Sequence, residues 1–278
     1  MKLNLLILAA VTGVTSGSPV QEKRQQGGGN GPYGPGVYTT ESSLGSHTIY
    51  MPSKAPSDLK LPVLVWGNGG CGSDGLANVN LLQQIASYGY MAIASGGPGQ
   101  QGGTTAQMMT DSINWAVANA GKAGTKYAQV DASKIMAAGF SCGGVEAYAQ
   151  IWDSRVKTVG IFSSGLLDNQ TAAQHFDKPI LYCLGGTGDI AYQNGERDFD
   201  NLPANTPSWK GNLNVGHGGT LFDANGGLFG KAGLNWLQWI FRNDQNAASY
   251  FKGGYSADGW QVETHALDKL TPLTKRDE

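Results

Sequence analysis

Short apolar runs rich in β-branched residues alternate with helix-patterned stretches along most of this chain, and that alternation limits the folds open to it. HTIYMP (47–52), VLVW (63–66), YMAIAS (90–95), KIMAAGF (134–140), VKTVGIFSSG (156–165) and PILYCLGGTGD (179–189) have the character of strands. Between them, NVNLLQQIASYG (78–89), TTAQMMTDSINWAVANAGK (104–122), residues 143–152 and a short segment near 169–176 carry helical spacing, with Gly89 and Gly121 placed as C-caps. LNVGHGG (213–219) is expected to hold a further short strand, and GLFGKAGLNWLQWIFRND (227–244) a strong closing helix before a terminal GWQVE strand. Strands of this kind separated by helices form right-handed βαβ units around a mostly parallel sheet with helices on both faces. The expectation is one α/β domain over residues 44–265, followed by a polar tail over 266–278. Glycine, at 42 of 278 residues, is about twice its usual share of roughly 7%, which suits a protein with many strand-to-helix turns.

The N-terminus bears on the compartment. MKLNLLILAAVTGVTSGS has a basic Lys2, an apolar stretch over 3–14 and small residues at 15–18. That is the form of a secretory signal peptide, here residues 1–17, and the apolar run is too short to span a bilayer. SPVQEKR (18–24) then ends in Lys23-Arg24, a dibasic maturation site, so 18–24 is a candidate propeptide and the mature chain is expected to begin at Gln25 in the extracellular space. Residues 25–43, opening with QQGGGNGPYGPG, are expected to form a flexible leader. A net charge of −2, a charged fraction of 14% and no basic run argue against nucleic acid as a partner. No later apolar segment is long enough to cross a membrane, so a soluble monomer is expected. Three Cys allow at most one disulfide and leave one thiol. With no Cys-x-x-Cys and no His/Cys cluster, neither a metal nor another cofactor is expected. Asn169-Gln170-Thr171 is a glycosylation sequon.

Gly139-Phe140-Ser141-Cys142-Gly143 is a G-x-S-x-G. In so glycine-rich a chain the pattern alone is weak; its position is what carries information. It falls between strand-like IMAAGF and helix-like GGVEAYAQIW, where a nucleophilic Ser on a sharp strand-to-helix turn needs glycines on either side. Such a Ser requires a base and an orienting acid, which in this architecture follow it in the order Ser, Asp or Glu, His. His175 sits in a short helix on the surface and His265 in the tail. His217, in the loop-forming VGHGG, is the base candidate. Asp189 ends a buried strand at its carboxyl edge, where such sheets place ligands, and is the acid candidate. Asp168 is the alternative, and Asp198 and Asp200 are expected to be solvated loop charges. Gly67, Gly69 and Gly72 also spell G-x-G-x-x-G after a buried strand. A dinucleotide site needs an acidic residue closing the next strand, yet that strand closes with Ser95, Gly96 and Gly97. The glycines fit an oxyanion hole better: one N–H from Cys142 and another from Gly69, Gly70 or Cys71.

VLVWGNGGC, GFSCGG, LGGTGD and VGHGG together resemble the α/β-hydrolase superfamily over residues 44–262, and more closely its secreted fungal serine esterases. WLQWIFRNDQNAASYF leading into GWQVE is similar to the end of cutinase-like and polyester-hydrolase-like members. The resemblance implies an α/β-hydrolase fold, Ser141 as nucleophile, Asp189 as acid, His217 as base and oxyanion amides at Gly70 and Cys142. It departs from the family where many esterases carry His-Gly-Gly-Gly, because this chain has Asn68-Gly69-Gly70-Cys71, which keeps Cys71 in play for the second amide. The two oxyanion loops must meet around one oxygen, so Cys71 and Cys142 are expected to be disulfide-bonded, leaving Cys183 a buried thiol. The implied activity is cleavage of carboxylic esters through an acyl-enzyme. A catalytically silent binding or effector protein, a peptidase and an acyltransferase of the same fold share these residues. The stretch between the strands ending near Ser164 and starting near Pro179 is too short for a cap domain, and residues 190–207 look like a polar loop. The site is therefore expected to be shallow, with aromatic walls from Phe140, Tyr192 and Trp209, and to take small soluble esters or esters displayed on a polymer.

Overall fold

The computed structural model describes residues 27–273. The signal peptide, the dibasic site, Gln25 and the last five residues lie outside it. Among the described residues nine strands form one sheet in the order β1-β2-β4-β3-β5-β6-β7-β8-β9. They are β1 Gly36–Glu41, β2 Leu44–Pro52, β3 Leu61–Gly67, β4 Met91–Ser95, β5 Val130–Phe140, β6 Val156–Phe162, β7 Ile180–Leu184, β8 Ser208–Asn212 and β9 Gln261–His265. From β4 to β8 every neighbouring pair is parallel. The edges β1–β2–β4 and β8–β9 are antiparallel. The six α-helices among the described residues are α1 Val79–Ser87, α2 Ala106–Asn119, α3 Cys142–Tyr148, α4 Tyr192–Asp200, α5 Gly227–Arg242 and α6 Gln245–Phe251. The molecule is thus α/β with a mostly parallel central sheet and helices about it.

The parallel strands are buried on both faces, which is why they are apolar without alternation: every residue of β3, β4 and β7 is buried. Two cores result. One, under α1, α5 and α6, holds Trp66, Phe162, Trp209, Trp236 and Phe251. The other, under α2, α3 and α4, holds Val65, Ile93, Ile113, Tyr148, Ile161 and Phe199. β3 lies between β4, the next strand in the chain, and β5. The chain therefore leaves β3 in one direction and returns on its other side. The crevice beyond the carboxyl ends of β3 and β5 is the switch point where such sheets bind ligands.

Several expectations are corrected. Residues 27–43 are not a loose leader. Gly28 and Gly36 exchange backbone hydrogen bonds of 3.1 and 2.7 Å, and β1 pairs along β2. The glycines here serve close approach: a Cβ on Gly31 would stand 2.3 Å from the carbonyl oxygen of Ser87 in α1. The tail also packs at its start, with Leu270 buried and Leu273 N–H donating to Ile240 O at 2.8 Å. The strand expected at 213–219 lies earlier, at β8. SWKGN lacks β-branched residues, yet it is buried because Lys210 is paired with Glu196 of α4 and Glu263 of β9, each at 2.8 Å. The supposed polar loop over 190–207 contains α4, whose buried face is Gly195, Asp198 and Phe199. Asp198 is therefore not a solvated charge: it accepts hydrogen bonds from the Tyr148 hydroxyl and the Leu166 N–H.

Candidate active site

Ser141 follows the last residue of β5 and precedes the first of α3. Its backbone is at φ 53°, ψ −121°, a conformation that non-glycine residues rarely adopt. The turn is held by its surroundings. Ser141 N–H donates to Phe162 O at 3.0 Å, and the Ser164 hydroxyl donates to Ser141 O at 2.6 Å. The flanking glycines are steric requirements: a Cβ on Gly139 would stand 2.2 Å from Gly143 O, and one on Gly143 would stand 2.1 Å from the Gly67 carbonyl carbon. The nucleophile turn and the end of β3 are thus packed backbone to backbone.

His217 lies in the loop after β8. Val215 and Gly216 N–H groups both donate to Gly185 O, at 3.0 and 2.7 Å, and this fixes the loop over the end of β7. His217 Nε2 stands 2.9 Å from Ser141 Oγ, and Nδ1 stands 2.6 Å from Asp189 Oδ1. Asp189 is buried at 4% exposure. Its Oδ2 accepts from Gly185 N–H at 3.0 Å and its Oδ1 also accepts from Ala191 N–H at 2.9 Å. Burial by itself would raise this carboxyl, but hydrogen bonds from His217, Ala191, Ser163 and Gly185 outweigh it and hold its pKa below the ordinary value. An ionised Asp189 only accepts, so Nδ1 carries the ring proton and Nε2 is left to accept from the Ser141 hydroxyl.

The loop after β3 faces the nucleophile turn. Cys71 and Cys142 form a disulfide with Cα atoms 5.1 Å apart, while Cys183 is a buried thiol. Asn68, just after β3, is fully buried and pins the loop. Its Nδ2 lies 2.9–3.0 Å from the carbonyl oxygens of Gly72, Asp74 and Ser95, and its own carbonyl accepts from Gly143 N–H at 3.0 Å. Gly69–Cys71 form one 3-10 turn, in which Gly70 has φ 62° and nothing within 4 Å of a would-be Cβ. Cys142 opens α3, and N–H groups in a first helical turn lack partners within the helix. Behind this arrangement Thr104 joins the two halves: its N–H donates to Cys71 O at 2.7 Å and its hydroxyl to Glu146 Oε1 at 2.8 Å. Burial raises the Glu146 carboxyl above its ordinary pKa.

The aromatic walls are only partly where the sequence pointed. The Phe140 ring packs 5.0 Å from the His217 ring and 5.7 Å from that of Phe222, so it backs the base. Trp209 is fully buried among Phe251, Tyr255 and Trp260, because its position in β8 faces the core under α5 and α6. Tyr192 is half-buried at the start of α4 and does not line the cavity beside Ser141. That cavity, of about 210 Å³, is bounded instead by Val145, Leu167, Ile190, Ala191 and Asn194. Larger clefts, such as one of about 470 Å³ running from Asn30 to Asn246, contain none of Ser141, Asp189 or His217. Leu167 and Ile190 are 59% and 83% exposed at the rim. Their sequence neighbours, Ser163 to Gly165 and Asp189, marked the region, but exposure of single apolar residues leaves no trace in a sequence. Asp168, Asn169 and His175 are exposed after β6, away from these hydrogen bonds. His265 closes β9, with its ring stacked on Phe199.

No model of a known protein family matches the chain, and no curated protein matches it.

Proposed function

We propose that this protein is a secreted serine hydrolase of the α/β-hydrolase type that cleaves carboxylic esters. The observation that carries the reading is the continuous hydrogen-bonded line Ser141–His217–Asp189, built on a nucleophile held at φ 53°. In this mechanism His217 Nε2 takes the Ser141 proton as Oγ attacks the acyl carbonyl. Asp189 keeps the ring in the competent tautomer and stabilises the imidazolium that forms. The Cys142 and Gly70 amides receive the tetrahedral oxyanion, each worth roughly 3–4 kcal/mol in comparable sites. His217 then protonates the leaving alcohol, and water activated by the same ring releases the acyl group.

The substrate class follows from the shape of the site. One 3-10 turn, Ala172–His175, lies between β6 and β7, which supports a site without a cap domain. A small cavity with apolar sides beside the nucleophile suits a short acyl group. An exposed rim suits an ester that arrives from solution or from a polymer surface. The signal-peptide pattern supports an extracellular enzyme. Labelling by a fluorophosphonate probe tests the reading directly: the wild-type protein should be labelled and Ser141→Ala should not. An unlabelled, folded wild-type protein would refute it.

A further inference from the structure

We infer that Ser163 is a positioning residue for the base His217, its buried hydroxyl receiving the backbone N–H of the residue just after the base while its own backbone is anchored to β7. The inference rests on the catalytic reading of Ser141, His217 and Asp189. Ser163 immediately follows β6, between the nucleophile turn and the acid. It is fully buried, and its φ of 42° places a non-glycine residue in the left-handed region. Its N–H donates to Cys183 O at 2.8 Å, which anchors it to β7. Its Oγ accepts from Gly218 N–H at 3.2 Å, and its side chain helps to hold the Asp189 carboxyl below its ordinary pKa. Glycine would adopt this backbone without strain. What serine adds here is a hydroxyl, with the donor and acceptor capacity that this place uses.

The consequence for the base is geometric. The His217 ring is held at Nδ1 by Asp189 and on one face by Phe140. The backbone ahead of the base is held on Gly185 O; the backbone after it, at Gly218, has positive φ. The Ser163 hydroxyl supplies the restraint on that side by accepting the Gly218 N–H. The next residue, Ser164, fastens Ser141 O at 2.6 Å. Two consecutive hydroxyls thus set the distance between nucleophile and base. Ser163 is not among the residues lining the cavity beside Ser141, so its effect reaches the reaction only through the base it positions.

Two variants separate hydroxyl from backbone. Ser163→Ala removes the hydroxyl and keeps the strained φ; Ser163→Gly removes the hydroxyl and relieves the strain. With a p-nitrophenyl butyrate substrate, both should lower kcat by roughly tenfold to a hundredfold, the scale of one buried N–H left without its acceptor, with KM little changed. The low-field proton resonance of His217 Nδ1–H, assigned by its loss in His217→Ala, should shift in both variants. That resonance is read whether or not the protein turns over esters. An inert wild type with a shifted resonance would refute the ester-hydrolase reading and leave the positioning role standing. An active wild type whose Ser163 variants keep the native kcat and resonance would overturn the inference. So would recovery of native kcat in Ser163→Gly alone, or failure of both variants to fold, since either would make the position a backbone device.

Discussion

Replacing Asp189 by Asn tests the assignment of the acid most sharply, because the structure dictates what the amide must do. Both carboxylate oxygens accept backbone N–H groups, Oδ1 from Ala191 and Oδ2 from Gly185, at 2.9 and 3.0 Å. The amide of an asparagine at this position has only one oxygen, so either orientation sets its NH₂ against a backbone donor. If NH₂ takes the Oδ1 place, it donates to Nδ1, the ring proton moves to Nε2, and Ser141 loses its acceptor. Loss of the competent tautomer costs about 10⁴-fold in kcat in comparable triads, or about 5 kcal/mol of transition-state stabilisation. If NH₂ takes the Oδ2 place, the tautomer survives but the negative charge behind the imidazolium is gone. In both cases a buried donor is left unpaired, at a cost of about 1–3 kcal/mol, so Tm should fall by about 2–10 °C for a domain of this size. The assay pairs steady-state hydrolysis of p-nitrophenyl butyrate with calorimetry, using Asp168→Asn as the comparison because Asp168 is exposed on the loop after β6. The expected result is a loss of roughly three to four orders of magnitude for Asp189→Asn, and near-native activity for Asp168→Asn. An Asp189→Asn enzyme within about tenfold of wild type, or a more damaged Asp168→Asn, would refute the reasoning.

Replacing Cys71 and Cys142 together by Ser opens a crosslink with a sequence separation of 71. The chain-entropy treatment then gives a loss of up to about 4 kcal/mol, and kcat should fall with it because two amide-bearing loops lose their tie; unchanged kcat in a folded variant would remove the disulfide from the site's function. Glu146 is raised by burial above its ordinary value of 4.5, so the folded protein keeps a proton that the unfolded chain releases, and stability from this position declines as pH rises. Glu146→Gln can still accept from Thr104 and has no such slope, so its Tm relative to wild type should improve as pH rises above the ordinary carboxyl range; a difference that stays flat or reverses would show that Glu146 ionises normally. Across a p-nitrophenyl ester series, acetyl to butyryl substrates should be cleaved fastest and rates should fall with longer chains, with no jump when substrate forms an interface; preference for long chains with interfacial activation would point to a closing element over Leu167 and Ile190.

The central strands were legible because complete burial on both faces forces an unbroken apolar run, and β3, β4, β5 and β7 all carry one. The outer elements were not. β1 grows out of a glycine-rich segment that resembles a linker, and Gly31 and Gly36 matter because α1 backbone lies 2.3 Å from where a side chain would start. β8 and α4 are polar in sequence, and their burial depends on pairing Lys210 with Glu196 and Glu263 across three elements. Such pairings join residues far apart in the chain, so no local window contains them. Trp209 shows the same limit: an aromatic near the base in sequence faces the opposite core in space.

Local chemistry was written in the chain itself. The strand–Ser–helix turn needs glycines at fixed offsets, and the order of Ser141, Asp189 and His217 follows from strands that place loops at one edge of a parallel sheet. The sequence alone therefore determined the α/β class and singled out Ser141, His217 and Asp189 as candidates. Only the tertiary structure decided that these three meet within 2.6 and 2.9 Å, and that Asn68 and Thr104 fasten the loop opposite. It likewise decided that the cavity wall is Val145, Leu167 and Ile190 and that Ser163 stands behind the base. Periodicity records which face of an element is apolar. It does not record which distant element covers that face, and the geometry of a site is made from those distant contacts.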